Sequence, residues 1–443
     1  MGNASTLFAI FLLSRMKSAD VIIVGAGFTG LSAAYYLQRK GLSVKVLEVS
    51  SQVGGRARSD KMDGFTLDRG VHFYHHSTTE LSKIINISEL ELKNTYPGYL
   101  LRYQGTFNLF TNPLYQTIDT VSTALAKNAT LTDKFRLFGL YVKLKTTSYN
   151  KLVKETESST FEYLSKNGFS KKLIDSFFRP MIAANIFDYN LQSSSRFSKV
   201  YLKSLFQDHV ALPKEGIGKI ASEIAEKLDA DTISFKTKVK KVTETGVELV
   251  NGDFLESKFV IIATNAIDAN TITCNKGIDA ECSHVSTLYF STDKAPLSKP
   301  VVILNGDNGT TLVNHVFVPS LLHPEYAPKG KHLVAVNVVK EHDLDDEELM
   351  VKCLTELSEW FGLRVMDWQH LKTYHIKYAM PFKPILDEVK FTLKLSDTVY
   401  ACGDSLSVGS MESALRSGRE TADIVAQEFV KGNFRKPDFA ERD

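Results

Sequence analysis

A short glycine-rich turn near the start of the chain carries the clearest chemical signal. The apolar residues 21–24 lead into a turn with the spacing GxGxxG, which is followed by small side chains at residues 32–34. The first glycine of such a turn allows a tight bend, the second lets a pyrophosphate approach the backbone amides, and the third lets a helix pack on the strand. The positive end of that helix favours an anion. The residues predicted to contact a dinucleotide are Gly25, Ala26, Gly27, Phe28, Thr29 and Gly30.

The surrounding elements support this interpretation and select the nucleotide. The turn alone is a weak signal, but a second apolar strand at residues 44–47 ends in Glu48, whose carboxylate can accept hydrogen bonds from an adenosine ribose. Gly54, Gly55 and Arg56 follow soon after. A simple NAD domain needs no such second phosphate loop, so the pattern favours FAD as the cofactor.

A third group of residues lies about 350 positions further along the chain. Gly403 and Asp404 follow the apolar residues 399–402, and a helix with small side chains is predicted to begin near Met411. Asp404 can accept a hydrogen bond from a ribityl hydroxyl. The amides of Met411 and Glu412 would point toward the flavin pyrimidine, where the helix dipole stabilises the negative charge of reduced flavin.

In these motifs the chain resembles the superfamily of flavin amine oxidases, protoporphyrinogen oxidases and carotenoid desaturases. The resemblance implies an α/β fold: a Rossmann-like FAD-binding domain of the GxGxxG type, interleaved with a substrate domain that combines a mixed sheet and helices. It further implies that Gly55 and Arg56 hold the pyrophosphate and that the backbone of Val239 meets the adenine. Gly70, Val71 and His72 would run beside the flavin.

The resemblance and the element pattern together predict alternating segments. The FAD-binding domain is expected at residues 20–79, 207–282 and 383–430. The substrate domain is expected as a helical cap at 80–206 and an antiparallel sheet at 283–382, with strands at 285–291, 301–304, 311–318 and 332–339 and a helix at 349–361. Residues 1–19 are predicted to be an extension and residues 431–443 a polar tail. Met16 is an alternative start, and Met1-Gly2 with Thr6 fits a myristoylation pattern.

The expected chemistry belongs to the cofactor, so no catalytic side chain is assigned. A flavin takes a hydride equivalent at N5, and His72 is the first candidate for a polar side chain near it, ahead of His75 and His76. Aromatic and aliphatic residues of the cap could line a tunnel for an apolar substrate. Many amine oxidases place a lysine on the first strand of the substrate sheet, but residues 283–290 contain none. Oxidation of an amine and oxidation of a carbon–carbon or ring carbon–nitrogen bond are therefore both retained, with oxygen or a quinone as electron acceptor.

Two other classes share the predicted fold. GDP dissociation inhibitors bind prenylated GTPases without flavin, and the galactopyranose mutases use reduced flavin without net oxidation. The intact phosphate-binding residues argue against the first class. The second class lacks support, because the sequence shows no convincing arginine pair that would bind a nucleotide-diphosphate sugar.

Composition narrows the partners of the chain. With 443 residues, a net charge of +2 and a pI of about 8.1, the protein is large enough for two cores and too balanced in charge to predict nucleic-acid binding. The four cysteines lack metal spacing, so no metal site is predicted and a reducing, cytoplasmic location is expected. The segment from Asp133 to Lys172 contains nine basic and four acidic residues, and this excess of positive charge allows a peripheral membrane contact.

Overall fold

The computed structural model describes residues 18–111, 129–207, 210–274, 277–307, 311–386 and 389–432. The predictions for the N-terminal extension, including myristoylation and the Met16 start, concern residues that lie almost entirely outside these ranges. The same holds for the polar tail.

The strands, in chain order, are β1 (Ser18–Val24), β2 (Val44–Leu47), β3 (Ser59–Met62), β4 (Phe65–Asp68), β5 (Tyr74–His75), β6 (Lys93–Asn94), β7 (Gly98–Tyr103), β8 (Thr106–Thr111), β9 (Val210–Leu212), β10 (Ile233–Ser234), β11 (Val239–Thr243), β12 (Gly246–Leu249), β13 (Phe254–Ile262), β14 (Cys282–Thr292), β15 (Val302–Asn305), β16 (Val313–Phe317), β17 (His332–Val338), β18 (Gln369–Pro381), β19 (Thr392–Lys394) and β20 (Val399–Cys402). The α-helices are α1 (Phe28–Arg39), α2 (Leu131–Thr146), α3 (Tyr149–Leu152), α4 (Thr160–Lys166), α5 (Lys171–Leu173), α6 (Arg179–Ile186), α7 (Ser195–Gln207), α8 (Gly218–Ala225), α9 (Ala266–Ile272), α10 (Asp346–Phe361) and α11 (Met411–Lys431). A π-helical turn, Ile174–Phe178, joins α5 to α6, and 3₁₀ turns lie at Leu81–Lys83, Ile87–Leu90, Pro319–Leu321, Pro324–Tyr326, Leu363–Asp367 and Asp404–Leu406.

The first sheet has a parallel centre in the order β10-β2-β1-β13-β20. The strands β11 and β12 extend it antiparallel beside the first half of β13, and β19 pairs with β20. Both faces are covered, which explains why β1 and the second half of β13 read as continuous apolar runs. Alternate residues of β1 serve the two faces: Ile23 packs toward α1, α8 and α11, whereas Ile22 packs toward α9 and the β11–β12 hairpin.

The glycine-turn helix α1 and the C-terminal helix α11 pack closely. The Ser32 hydroxyl donates to the Leu415 carbonyl at 2.7 Å. A Cβ on Gly418 would lie 2.2 Å from the Thr29 carbonyl oxygen, so only glycine permits this approach. This contact fixes the N-terminal glycine turn and the C-terminal Gly403–Asp404 segment relative to each other.

The second sheet has the order β18-β14-β17-β16-β15-β7-β8 and is antiparallel except for the parallel pair β7–β15. One face packs on the helices of the cap, which we define as α2–α7 with the π-helical turn. The other face packs on α10 through side chains such as Leu349, Leu357 and Trp360.

The strands predicted in residues 283–382 correspond to β14–β17, and the predicted helix corresponds to α10. The sequence did not predict β18. It also assigned the whole range 80–206 to a helical cap, whereas this range contributes β7 and β8 to the second sheet. The two omissions differ in cause. The strand β7 lacks strict alternation, whereas β18 carries the signal, because Tyr374, Ile376 and Tyr378 alternate with the exposed His375 and Lys377.

Candidate functional site

The glycine turn lies where β1 ends and α1 begins. Gly25 has φ +105°, and a Cβ there would approach the Ala263 carbonyl oxygen to 2.9 Å. A Cβ on Gly30 would lie 1.9 Å from the Gly25 carbonyl oxygen. Gly27 differs from both, since nothing lies within 4 Å of its Cβ position. Gly25 and Gly30 therefore shape the turn, and Gly27 borders open space at the N-terminus of α1.

The second glycine loop faces this space. The Gly54 amide donates to the Ala26 carbonyl at 2.8 Å, and Gly54 and Gly55 both have positive φ. A Cβ on Gly55 would lie 3.4 Å from the Gly27 Cα. The two loops thus approach each other through glycines, leaving a cradle that any side chain would fill. An FAD pyrophosphate fits such a cradle, because backbone amides and the positive end of a helix border it.

Glu48 braces the turn from the end of β2. Its buried carboxylate accepts hydrogen bonds from the Ala26 and Ser50 amides, both at 2.8 Å. A carboxylate offers about four acceptor positions, so two stay available for ribose hydroxyls. The Thr237 amide donates to the Glu48 carbonyl at 2.9 Å, which brings Val239, the first residue of β11, to the same end of the sheet.

Arg56 and Asp404 form an ion pair. The Arg56 Nη2 lies 2.7 Å from the Asp404 Oδ2, and the Arg56 Nη1 donates to the Ala379 carbonyl at 3.1 Å. The Tyr378 ring lies beside the guanidinium, 5.3 Å from its Cζ. Gly403 has φ +136°, and its amide donates to the Ser417 hydroxyl of α11 at 2.8 Å. The sequence suggested a role for each of the paired residues but gave no sign that they meet.

The start of α11 carries its own cap. The Ser410 hydroxyl accepts from the Ser413 amide at 3.1 Å. The Glu412 carboxylate accepts from the Thr79 hydroxyl and the Glu80 amide, both at 2.9 Å. Because this side chain is engaged with the loop that follows β5, the groups at Met411 and Glu412 that could serve a flavin are their backbone amides.

His72 follows Gly70 and Val71 on the segment predicted to run beside the flavin. Its Nε2 lies 3.0 Å from the Arg69 carbonyl oxygen, which can only accept, so Nε2 carries the proton. Burial lowers the pKa of His72 because it penalises the charged ring. The imidazole is therefore neutral near pH 7, with Nδ1 as an acceptor.

Buried side chains that the sequence did not reveal hold this segment in place. Asp68 accepts hydrogen bonds from Ser59 and from the Ile217 amide, and its carbonyl accepts from the Tyr289 hydroxyl at 2.7 Å. Burial raises the pKa of Asp68 to about 6. Ser59 and Asp68 are paired across the β3–β4 hairpin, but Ile217 and Tyr289 come from two distant stretches of chain, so no local spacing links all four residues.

The part of the chain that the structure describes holds no group of three or more His, Cys, Asp or Glu side chains placed to bind a metal ion. Among the same residues, no helix is both long and apolar enough to cross a membrane.

A family model for flavin-containing amine oxidoreductases matches residues 28–426. The chain belongs to this family. Membership establishes FAD as the cofactor and oxidoreduction as the class of reaction, in agreement with the glycine cradle. The interpretation as a flavin-free binding protein is accordingly set aside.

Relatives within the family match shorter stretches. Protoporphyrinogen oxidase 2 of Arabidopsis thaliana is 30% identical over 137 residues, which cover 30% of this chain and 27% of the relative. The carotenoid 3,4-desaturase of Haloarcula japonica is 45% identical over 62 residues, 14% of this chain and 12% of the relative. The chain thus aligns with less than two thirds of either protein.

Solved structures match the whole fold. The crystal structure of an oxidoreductase from Methanosarcina mazei superposes with a TM-score of 0.70 at 15% identity, covering 91% of this chain and 99% of the other. This likeness establishes the predicted fold class, a Rossmann-like parallel sheet with a mixed substrate-domain sheet, and carries no information on the substrate.

Proposed function

We propose that the protein oxidises an apolar small molecule by removing a hydride equivalent from a carbon–carbon or ring carbon–nitrogen bond. One observation supports this most directly. Apolar side chains near the predicted flavin segment, Val71, Phe73 and Ile376, pack against the same hydrophobic cluster as the cap residues Phe178 and Met181. A substrate held between the predicted flavin segment and the cap would therefore meet a largely apolar surface.

A small apolar pocket lies within the cap. It has a volume of about 10 Å³, room for about one water molecule, and opens between α6 and α7, where Met181, Ile186 and Leu202 contribute to its wall. It is too small to hold a substrate, so only its apolar lining agrees with the proposed substrate class. The Asn185 amide in this wall donates to the Tyr99 hydroxyl at 3.1 Å, so its polarity is largely satisfied. The wall offers apolar contact rather than charge.

The nearby carboxylates do not favour a cationic amine. Asp60 accepts a hydrogen bond from the Tyr374 hydroxyl at 2.7 Å and pairs with Arg69 at 3.1 Å. Asp68 is buried and engaged with Ser59. The strand β14 also contains no lysine. Amine oxidation is therefore the second choice within the family.

In this proposal the chain's own residues bind, orient and exclude water. FAD supplies the acceptor for the hydride equivalent. The cradle at Gly27 and Gly55 and the pair Arg56–Asp404 would hold the cofactor. Neutral His72 can accept a hydrogen bond at Nδ1 without adding charge to an apolar site, and Gly70 keeps the backbone close to Ile376. Burial of a reacting carbon against such a surface restricts its orientation.

The deciding experiment mixes the purified, FAD-loaded protein anaerobically with a linear diamine, a porphyrinogen or a linear carotene and follows flavin absorbance. Bleaching by the porphyrinogen or the carotene supports the proposal, whereas bleaching by the diamine alone overturns it. Readmitting oxygen or a quinone then identifies the acceptor.

A further inference from the structure

The helix α2 exposes apolar side chains along one face. Leu131 is 70% exposed, Phe135 70%, Phe138 55% and Val142 42%. These positions are spaced i, i+4, i+7 and i+11, so at 3.6 residues per turn they form a single stripe. We call these four residues the apolar stripe. Single exposed apolar residues are ordinary on protein surfaces, but four aligned on one helix require an explanation.

The stripe is exposed on a well-anchored helix. The opposite face of α2 buries Leu140, Tyr141 and Leu144, and the Tyr141 ring packs on Phe206 of α7 with centroids 5.6 Å apart. Asp133 closes a capping box with Thr130 and also accepts from the Ser170 amide at 2.8 Å. The helix is therefore fixed to the cap with its apolar stripe directed outward.

Basic residues border the stripe on one side. On a helical projection, Lys134 and Lys145 lie beside it. Lys143, which pairs with Glu155, and Arg136, which donates to the Gly168 carbonyl, lie further round toward the buried face. The single acidic residue of α2, Asp133, is buried on the opposite face. An outward apolar stripe bordered by lysines is the pattern of helices that lie in the interface of an anionic bilayer.

We infer that α2 is a membrane-surface helix that seats the cap on an anionic lipid bilayer. Its 16 residues span about 24 Å, enough to lie in the surface plane. The stripe would enter the boundary between headgroups and acyl chains while the basic residues contact lipid phosphates. A second copy of the chain is a poorer occupant, because a two-fold contact through this face would bring the flanking basic residues of both copies together.

Vesicle co-sedimentation of the full-length, FAD-loaded protein tests this. Binding is expected to vesicles of equal parts phosphatidylcholine and phosphatidylglycerol, to weaken with added salt, and to be far weaker with phosphatidylcholine alone. In the double variant Phe135→Ser/Phe138→Ser, the affinity for the anionic vesicles should fall by at least about tenfold. The control double variant Phe254→Ser/Leu363→Ser, which removes two exposed apolar side chains elsewhere, should bind like the wild type.

Thermal unfolding and light scattering distinguish the alternatives. If the stripe faces solvent in the free protein, the double variant should unfold at the same temperature as the wild type or slightly higher. A clear drop would show that another part of the chain covers the stripe and would overturn the inference. It would equally be overturned by a wild-type dimer that becomes monomeric in the variant, or by equal vesicle binding of the two proteins.

Discussion

Arg56 and Asp404 meet at 2.7 Å although 348 positions separate them in the chain. One belongs to the second glycine loop and the other to the turn that precedes the C-terminal helix. The pair thus joins the two halves of the predicted FAD site directly. Each partner is held by further contacts, Arg56 by the Ala379 carbonyl and the Tyr378 ring, and Asp404 by its place after Gly403.

The pair should act as a unit in FAD binding. We expect Arg56→Gln and Asp404→Asn each to raise the Kd for FAD about 10- to 100-fold, equivalent to about 1.4–2.7 kcal/mol, because each removes a charged group and leaves its partner misaligned. The double variant should lose much less than the sum of the two. Fluorescence titration of the apoprotein with FAD measures all three. Additive losses would show that the residues act independently, and wild-type affinity of Asp404→Asn would contradict its assignment to the ribityl chain.

The glycines of the turn should separate cofactor binding from folding. Gly27→Ala places a methyl group in open space on an extended backbone, so we expect unchanged thermal stability but at least about tenfold weaker FAD binding. Gly30→Ala should instead destabilise the fold by about 1–3 kcal/mol or more, since its Cβ collides with the Gly25 carbonyl. Gly139→Ala, also in open space but on α2, is the control and should retain FAD. Equal FAD affinity of Gly27→Ala and wild type would place the pyrophosphate elsewhere.

Local patterns in the sequence predicted those parts of the site that local backbone geometry determines. The glycine turn, the strand that ends at Glu48 and the strand before Gly403 were all visible, because residue spacing along a strand or turn fixes which side chains share a face. The resemblance to the flavin oxidase superfamily supplied the order of the segments, which stays a prediction, and the family match confirmed the superfamily.

Contacts across the fold were not predictable in this way. The Glu412 side chain turns toward Thr79 and Glu80, and the Glu48 carboxylate accepts from the Ala26 and Ser50 amides. The hydroxyls of Tyr289 and Tyr326 meet Asp68 from positions more than 200 residues away. Nothing in the spacing of a single chain encodes such partners, which depend on how two sheets and their connections pack.

His72 should be neutral at physiological pH. Burial lowers its pKa, and the Arg69 carbonyl fixes the proton on Nε2. We expect ¹⁵N NMR of the imidazole to show the neutral ring, protonated at Nε2, from pH 7 to pH 8. The variant His72→Gln should then change the oxidation rate by the same factor at every pH in this range. A limb of the pH–rate profile that disappears in the variant would show instead that the ring gains a proton during turnover.

Asp68 should give the fold an unusual dependence on pH. Burial raises its pKa to about 6, above the value near 3.9 expected in the unfolded chain, so the native state holds the proton more tightly. This contribution to stability is complete below the unfolded pKa and is lost as the pH rises through about 6. Burial outweighs the hydrogen bond from the Tyr326 hydroxyl, which lowers this pKa. That hydroxyl has one proton to donate and lies 3.2 Å from both the Asp68 Oδ2 and the Pro213 carbonyl. When Asp68 is protonated, both acceptors can be satisfied.

Urea unfolding of wild type and Asp68→Asn at several pH values measures this contribution. The asparagine amide can donate to Tyr326 at every pH. Between pH 4 and pH 7, the free energy of unfolding of the variant should therefore increase by about 2–3 kcal/mol relative to that of the wild type. Asp60→Asn is the matched control with the opposite sign. Burial by itself raises the pKa of Asp60, but hydrogen bonds from Tyr374 and Arg69 outweigh it and lower that pKa. The free energy of unfolding of the wild type should therefore increase relative to that of Asp60→Asn as the pH rises. A stability difference between wild type and Asp68→Asn that stays constant with pH would mean that Asp68 is ionised in the native state throughout, with its charge stabilised by Ser59 and the Ile217 amide.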